Sequence, residues 1–305
     1  MEINIYQVDA FTKDTFGGNP AGVVPDAKDL TEENMEKIAR EMNLSETAFI
    51  IPIDENNFEV RFFTPLCEVD LCGHATIGSF FTLAEKGYIR PITNGKLRIF
   101  QKTKAGILPV EIYYNQGKVE RVMMTQSMPT TIGTITDIEE LIDALNITED
   151  DIGIEDKFVS PEIISTGLPD IMLPIKRKDI LDNLDVDMKR LSDLSRKLKI
   201  TGVHAFFLPD KDLEIVYTRN FAPYVGIDEE AATGTSNGAL IYFLKKNGYL
   251  KGNEMISYQG EILNRPSYIN CTIDETDEGY IVKVGGRARI VLEGIFYMQN
   301  IPSNT

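Results

Sequence analysis

Residues 71–88, LCGHATIGSFFTLAEKGY, have a counterpart in residues 232–249, ATGTSNGALIYFLKKNGY. Gly73, Leu83, Gly87 and Tyr88 match Gly234, Leu244, Gly248 and Tyr249 at an offset of 161. Upstream, Arg61, Phe63 and Pro65 match Arg219, Phe221 and Pro223 at 158, and Ala48, Phe49 and Pro52 match Ala205, Phe206 and Pro209 at 157. Offsets this even, each near half of the 305-residue chain, imply two related domains. The expected boundaries are 1–118 plus 290–305 for the first domain, carrying Glu46 and His74, and 119–289 for the second, carrying Glu230 and Thr235. In each half the glycine opens a helix that is apolar on nearly every face, which is the pattern of a buried helix. The expected fold is therefore α+β: two pseudo-symmetric domains, each a barrel-like mixed β-sheet wrapped around a central helix.

Composition narrows the function. A net charge of −16 disfavours nucleic acid and anionic membrane as partners, since both demand basic surface. The opening MEINIYQVDA lacks the basic segment of a signal peptide, and no apolar run approaches the ~20 residues of a membrane span. Three dispersed cysteines, Cys67, Cys72 and Cys271, make no disulfide framework and point to a cytoplasmic protein. With only two histidines, a zinc site of the usual spacing is not expected. No dinucleotide or phosphate-loop fingerprint follows a strand, so neither cofactor nor metal is expected.

Alternation and β-branched content predict strands at Ile3–Val8, Ala48–Pro52, Phe58–Phe63, Lys96–Gln101, Val119–Met124, Gly202–Leu208, Glu214–Arg219, Tyr268–Ile273 and Tyr280–Val284. TEENMEKIAREMN reads as an amphipathic helix capped by Thr31, with Met35, Ile38, Ala39 and Met42 on one face. The acidic stretch 136–156 reads as a surface helix and turn near a domain junction.

Chemistry concentrates at the two helix starts, where unpaired N–H groups and the positive end of the dipole suit a small carboxylate. Gly73 and His74 stand at one, Gly234 and Thr235 at the other. Glu46, just before an apolar strand, has the type and setting of a general base whose pKa burial would raise; the alternative is a turn glutamate in solvent. Its counterpart is Val203, so the charge is confined to one half. His74 reads as a substrate-facing or proton-shuttling group, or as a helix-capping one. Cys72 is a thiol at a helix start, reactive or merely packed; its counterpart Thr233 offers no second thiol for a two-cysteine racemase. His204 reads as a packed histidine at a strand edge. Asp228, Glu229 and Glu230 precede the second helix, as caps or as a group orienting a substrate amine or hydroxyl. Asn19 and Pro20 lie in a glycine-rich stretch that reads as a turn, or as a loop closing over a ligand.

The successive stretches QVDAFTKDTFGGNPAGVV, LSETAFI, VRFFTP, DLCGHATIG, STGLPDIMLPI, GVHAFF and RNFAP…GIDEEAATGTSNG resemble the signatures of the phenazine-biosynthesis PhzF family, nearly end to end. The resemblance implies the diaminopimelate epimerase-like fold with the active site between the domains, and homodimers are common in the family. It implies isomerisation of a dihydro-hydroxyanthranilate without a cofactor, with Glu46 as general acid/base and Gly73–His74 at the substrate carboxylate. The family pattern of acid, Pro, Ala, Thr, Gly, Ser reads here Glu230, Ala231, Ala232, Thr233, Gly234, Thr235. Glu230 is a methylene longer than the family's aspartate and Thr235 adds a methyl to its serine, and both changes alter the substrate pocket.

The expected function is a cofactor-independent isomerase that moves a proton between carbons of a small carboxylate-bearing substrate. Glu46 is the acid/base, His74 and Glu230 assist, and Asn19, Gly73, Gly234 and Thr235 bind. The alternatives are a racemase or epimerase using Cys72, and a non-catalytic binder of small carboxylates.

Overall fold

Alternation sets the first strand: in EINIYQVDA, Ile3, Ile5 and Val8 are buried while Glu2 and Asn4 face solvent. The protein is described by a computed structural model over residues 1–209 and 215–298. In chain order it runs β1 (Glu2–Ala10), β2 (Asn19–Val24), α1 (Glu32–Met42), β3 (Thr47–Pro52), β4 (Asn57–Phe63), β5 (Glu68–Val69), α2 (Gly73–Glu85), β6 (Gly95–Thr103), β7 (Gly106–Asn115) and β8 (Lys118–Thr125). The second half runs β9 (Thr130–Thr134), α3 (Glu139–Leu145), β10 (Glu162–Ser165), β11 (Pro169–Pro174), α4 (Lys178–Asp182), α5 (Met188–Leu198) and β12 (Gly202–Phe207). It continues β13 (Ile215–Ala222), β14 (Ile227–Glu230), α6 (Gly234–Lys246), β15 (Glu254–Gln259), β16 (Ser267–Thr276) and β17 (Gly279–Gly286), and the last element among the described residues is β18 (Ala288–Tyr297).

Two compact units result, Met1–Met124 with the chain from Gly286, and Thr125–Gly285. The expected boundary at 118/119 falls in the β7–β8 hairpin; the break comes later because β8 is hydrogen-bonded along β7, from Asn115–Lys118 to Val110–Met124. Positions 299–305 of the expected first domain lie outside the described residues, as does Glu214 of one expected strand.

Within the first unit the strand order is β18–β1–β2–β3–β4–β6–β7–β8, with β5 also on β4. Within the second it is β9–β10–β11–β12–β13–β15–β16–β17, with β14 on β13. The orders correspond strand for strand, and the parallel pairs fall at the same places: β2–β3 and β4–β6 in one, β11–β12 and β13–β15 in the other. Each sheet wraps a helix. α2 packs on β1, β2, β3, β7 and β18, and α6 on β10, β11, β12, β15 and β16. Ile77, Phe80 and Leu83 of α2, and Leu240, Phe243 and Leu244 of α6, are fully buried there.

A second layer covers the outside of β2–β3 and of β11–β12, which are therefore buried on both faces. In the first unit α1 places Met35, Ile38 and Ala39 on Ile3, Ile5, Val24, Phe49 and Phe63. Burying Met35 and Ile38 stabilises by roughly 1.5–3 kcal/mol each. Thr31 caps α1 through the Asn34 N–H, and Asn43 ends it in the left-handed conformation at φ 50°. In the second unit α3 and α5 bury Leu141, Ala144, Leu145, Leu191 and Leu194 over Val203, Ala205 and Phe221.

Two expectations about local structure change. Asn19 and Pro20 do not form a loop; they open β2. Pro20 lies beyond the β2–β3 ladder, which begins at Gly22–Thr47, so its missing N–H costs no bond there. Gly22 is required by that ladder, because a Cβ would stand 2.6 Å from Thr47 Oγ1. His204 is not at a strand edge: β12 is paired on both sides, and the ring is fully buried.

Candidate functional site

The chain leaves α1 through Asn43 and enters β3 at Thr47, so Ser45 and Glu46 occupy the junction. The Glu46 carbonyl accepts from the Gly22 N–H at 2.9 Å and the Ser45 hydroxyl lies 3.4 Å from the Pro20 carbonyl, which ties the junction to β2. Asn19, the buried first residue of β2, borders this junction through Pro20.

The start of α2 meets the same place. Cys72 is its N-cap and Gly73 its first helical residue. His74 Nε2 lies 3.1 Å from Glu46 Oε2 and 3.2 Å from Ser45 Oγ, while His74 Nδ1 lies 3.4 Å from Cys72 Sγ. His74 and Cys72 are buried; the Glu46 side chain keeps 19% exposure. Glu46 Oε2 is itself buried and has no well-aligned hydrogen-bond donor. The contact with His74 is thus a charge pairing that leaves this oxygen's lone pairs poorly satisfied.

Burial is the largest single influence on Glu46 and pushes its pKa upward, as expected from the sequence. The contacts from His74, Ser45 and Cys72 outweigh it and hold the carboxyl below its ordinary value. The expected raised pKa is therefore corrected to a lowered one. The ring shows the complement: burial pulls His74 down, but Cys72 and Glu46 raise it well above its ordinary value. The Cys72 thiol is pushed up, chiefly by burial. Glu46 is thus held as a carboxylate and His74 is pushed towards its charged form, while burial favours the neutral thiol of Cys72.

Gly73 is not demanded by packing. A Cβ there would meet no atom nearer than Met124 Sδ at 4.0 Å. Cys72 makes no capping bond to the first turn of α2.

The start of α6 in the second unit is built alike. Thr233 is its N-cap and Gly234 its first residue, so Cys72, Gly73 and His74 correspond to Thr233, Gly234 and Thr235. Of the three acids ahead of it, Asp228 is exposed. Glu229 forms a two-pronged pair with Arg219 at 2.9 and 2.8 Å. Only Glu230 turns to the helix start, accepting from Thr233 Oγ1 at 2.5 Å. The first unit repeats the arginine pair, with Arg61 on Glu68 at 2.7 Å twice. Each arginine also covers a phenylalanine, Arg61 over Phe63 and Arg219 over Phe221. This explains the repeated Arg-x-Phe and aligns Glu68 with Glu229. It follows that Glu230 stands where the first unit has Val69: Val69 pairs with Phe62, Glu230 with Asn220. The asymmetry is reciprocal, Glu46 against Val203 and Glu230 against Val69.

A buried polar network holds Thr233 and Glu230. Gln259 Nε2 donates to the Glu230 carbonyl and to Thr233 Oγ1, at 2.8 and 3.2 Å. Asn237 Nδ2 donates to Gln259 Oε1 and to the Thr233 carbonyl, both at 2.9 Å. His204 lies behind, with Nε2 at 3.3 Å from Asn237 Oδ1 and Nδ1 at 2.9 Å from the Asn220 amide. Burial pulls the His204 pKa down to about 4, so the ring is neutral and structural. Asp170, fully buried on β11, accepts from Ser236 Oγ, and burial raises its pKa to about 6. Thr235 is half-buried, its carbonyl accepting from Thr166 Oγ1 at 2.8 Å.

The structure therefore joins Glu46 to His74, adds Ser45 and Cys72 to them, and places Glu230 with Thr233 beside Gly234 and Thr235. Sequence reasoning missed Ser45, Gln259, Asn237 and Asp170 as site residues, although Ser45, Asp170 and Asn237 lie inside LSETAFI, STGLPDIMLPI and GTSNG, stretches that carry the resemblance.

Residues 8–294 match the profile of a family described as phenazine biosynthesis-like protein. An isomerase of Clostridium acetobutylicum, itself uncharacterized, is 37% identical over 95% of this chain and 96% of its own length. The trans-2,3-dihydro-3-hydroxyanthranilate isomerase of Pseudomonas chlororaphis is 31% identical over 85% of this chain and 86% of its own. Among solved structures, the PhzF-family phenazine biosynthesis protein of Bacillus anthracis superposes with a TM-score of 0.85 at 28% identity, covering 98% of this chain and all of the other. Among the described residues no helix is long and apolar enough to cross a membrane.

Proposed function

This chain belongs to the phenazine biosynthesis-like protein family and is an isomerase, and from that premise we propose that Glu46 takes a proton from one carbon of a small carboxylate-bearing substrate and returns it at another. The observation that carries this reading is the buried Glu46 Oε2, 3.1 Å from His74 and without a well-aligned donor. A carboxylate oxygen kept ionised, largely dry and unsatisfied is a ready acceptor for a proton on carbon.

The lowered pKa of Glu46 fits this role through His74. When the imidazolium turns to the substrate carboxylate, Glu46 keeps the burial that raises its pKa and loses the contact that lowers it. Its basicity then rises in the complex, where it is needed. The substrate carboxylate is held by the N–H groups at the start of α2, aided by the positive end of the helix dipole. The absence of a side chain at Gly73 leaves that approach open. In the second unit Glu230 and Thr235 supply a carboxylate and a hydroxyl for substrate orientation, with Asn19 and Gly234 as further binding groups. No cofactor enters the scheme. A thiol route through Cys72 is less well supported, because burial keeps that thiol protonated and Thr233 stands at its counterpart.

The test is solvent exchange. In deuterium oxide the protein should introduce deuterium into a turned-over ligand, with trans-2,3-dihydro-3-hydroxyanthranilate as the first candidate. Glu46→Gln should lower the exchange rate by about 10²–10⁴ while ligand still binds. Exchange at the original rate would overturn the role.

A further inference from the structure

We propose that Glu46, Cys72 and His74 form a binding site for a thiophilic divalent cation, Zn2+ first, and that occupation arrests the isomerase. Spacing alone does not predict this, since a Cys-x-His pair with a glutamate 26 residues upstream matches no zinc pattern. The fold brings the three together. One donor atom from each lies within 4.8 Å of the other two. The Nε2–Oε2 separation is 3.1 Å and the Sγ–Nε2 separation 3.9 Å. Zinc bonds of about 2.0–2.3 Å at tetrahedral angles place ligand atoms roughly 3.3–3.8 Å apart, so Glu46 Oε2 and His74 Nε2 already stand near ligand spacing, and rotation of the Cys72 side chain must bring Sγ round to the Nε2 side of the ring.

Two further features favour a cation over a purely hydrogen-bonded cluster. The Glu46 Oε2 atom is buried without an aligned donor, and a cation would satisfy it. Charge balances: a thiolate and a carboxylate neutralise a divalent ion, which a buried pocket requires. Binding displaces the thiol proton, and the second imidazolium proton, to solvent; no electrons move. Three protein ligands leave a fourth position for water or a substrate oxygen. Ser45 is exposed and Glu46 partly so, which gives the ion a way in.

Arrest follows because a metal on Glu46 occupies the lone pairs that would accept the carbon proton. That half of the proposal rests on Glu46 being the base; the binding half does not.

Co2+ is the probe. Exposed Cys67 would bind ions adventitiously, so the titration uses a Cys67→Ser protein. A thiolate-to-cobalt charge-transfer band should grow to saturation at one equivalent and vanish when Zn2+ is added. Adding Cys72→Ala should abolish the band, and adding Glu46→Gln should weaken Zn2+ binding at least about tenfold, with circular dichroism verifying that each variant is folded. No band in the Cys67→Ser protein, or a band that survives Cys72→Ala, overturns the site. Saturation with Zn2+ should also stop deuterium exchange into the ligand. If the band forms as described and exchange continues unslowed, the metal site stands while arrest, and with it the reading of Glu46 as base, falls.

Discussion

His74 Nε2 stands 3.1 Å from Glu46 Oε2, although the two residues reach that point from different elements, one at the start of α2 and the other on the approach to β3. The pairing keeps a buried carboxylate ionised and aims a cation at it. Replacing His74 by Gln keeps a hydrogen-bonding side chain of similar size but removes the charge. Exchange should slow by about 100-fold, as for loss of an assisting acid–base group, with the loss falling on kcat at least as much as on KM. Steady-state kinetics with the ligand of the exchange assay decides it.

Gly73→Ala separates function from packing. The nearest atom to a new Cβ is 4.0 Å away, and alanine favours a helix over glycine by up to about 1 kcal/mol. Unfolding by urea should therefore show unchanged or slightly higher stability. Ligand binding should weaken sharply, because the methyl would crowd the N–H groups assigned to the carboxylate. Undiminished binding would remove the start of α2 from the site.

Thr233→Val is isosteric and deletes the hydroxyl that donates to Glu230 Oε2. Leaving a carboxylate oxygen without that bond costs roughly 1–3 kcal/mol in a partly buried setting. If the bond orients Glu230 for the reaction, Thr233→Val and Glu230→Gln should each reduce turnover, and the double variant should lose little more than the worse single one. Full additivity would mean that they act separately.

His204 and Asp170 make stability depend on pH with opposite signs. The folded-state pKa of His204, about 4, lies below its ordinary 6.5. Its contribution is thus present above pH 6.5 and lost as pH falls towards 4, by about 3 kcal/mol in all. Asp170, raised from 3.8 to about 6, favours the folded state while protonated. That contribution is present below pH 3.8 and lost as pH rises through 6, again about 3 kcal/mol. Relative to the native chain, His204→Gln should lose less stability between pH 6.5 and 4.5. Asp170→Asn should gain relative stability between pH 4 and 7. Urea unfolding at pH 4.5, 6 and 7.5 reads both slopes.

Much of this architecture was legible because the chain states it twice. Matching anchors at offsets of 157, 158 and 161 foretold two related units, and α2 and α6 indeed start at Gly73 and Gly234 and run for the same length. Apolar faces all round those segments foretold their place inside the sheets. Several strands were not visible beforehand, among them β2, β7 and β11, which carry proline or glycine within or at their ends, and β10 and β15, which carry neither. Their extended form comes from pairing partners distant in sequence rather than from local preference.

The repeat, the central helices, the family and the candidates Glu46, His74 and Glu230 can all be read in the chain itself, because spacing and residue type are local and are written in order. Which groups meet depends on how the elements pack. Packing took Glu229 away to Arg219, left Glu230 to Thr233, and set His204 in a closed network behind Asn237. It also reversed the expected direction of the Glu46 pKa. Burial can be guessed from an apolar neighbourhood, but a charge shift is the balance of burial against contacts made across 28 residues of chain, and those contacts exist only once α2 has packed against β2 and β3.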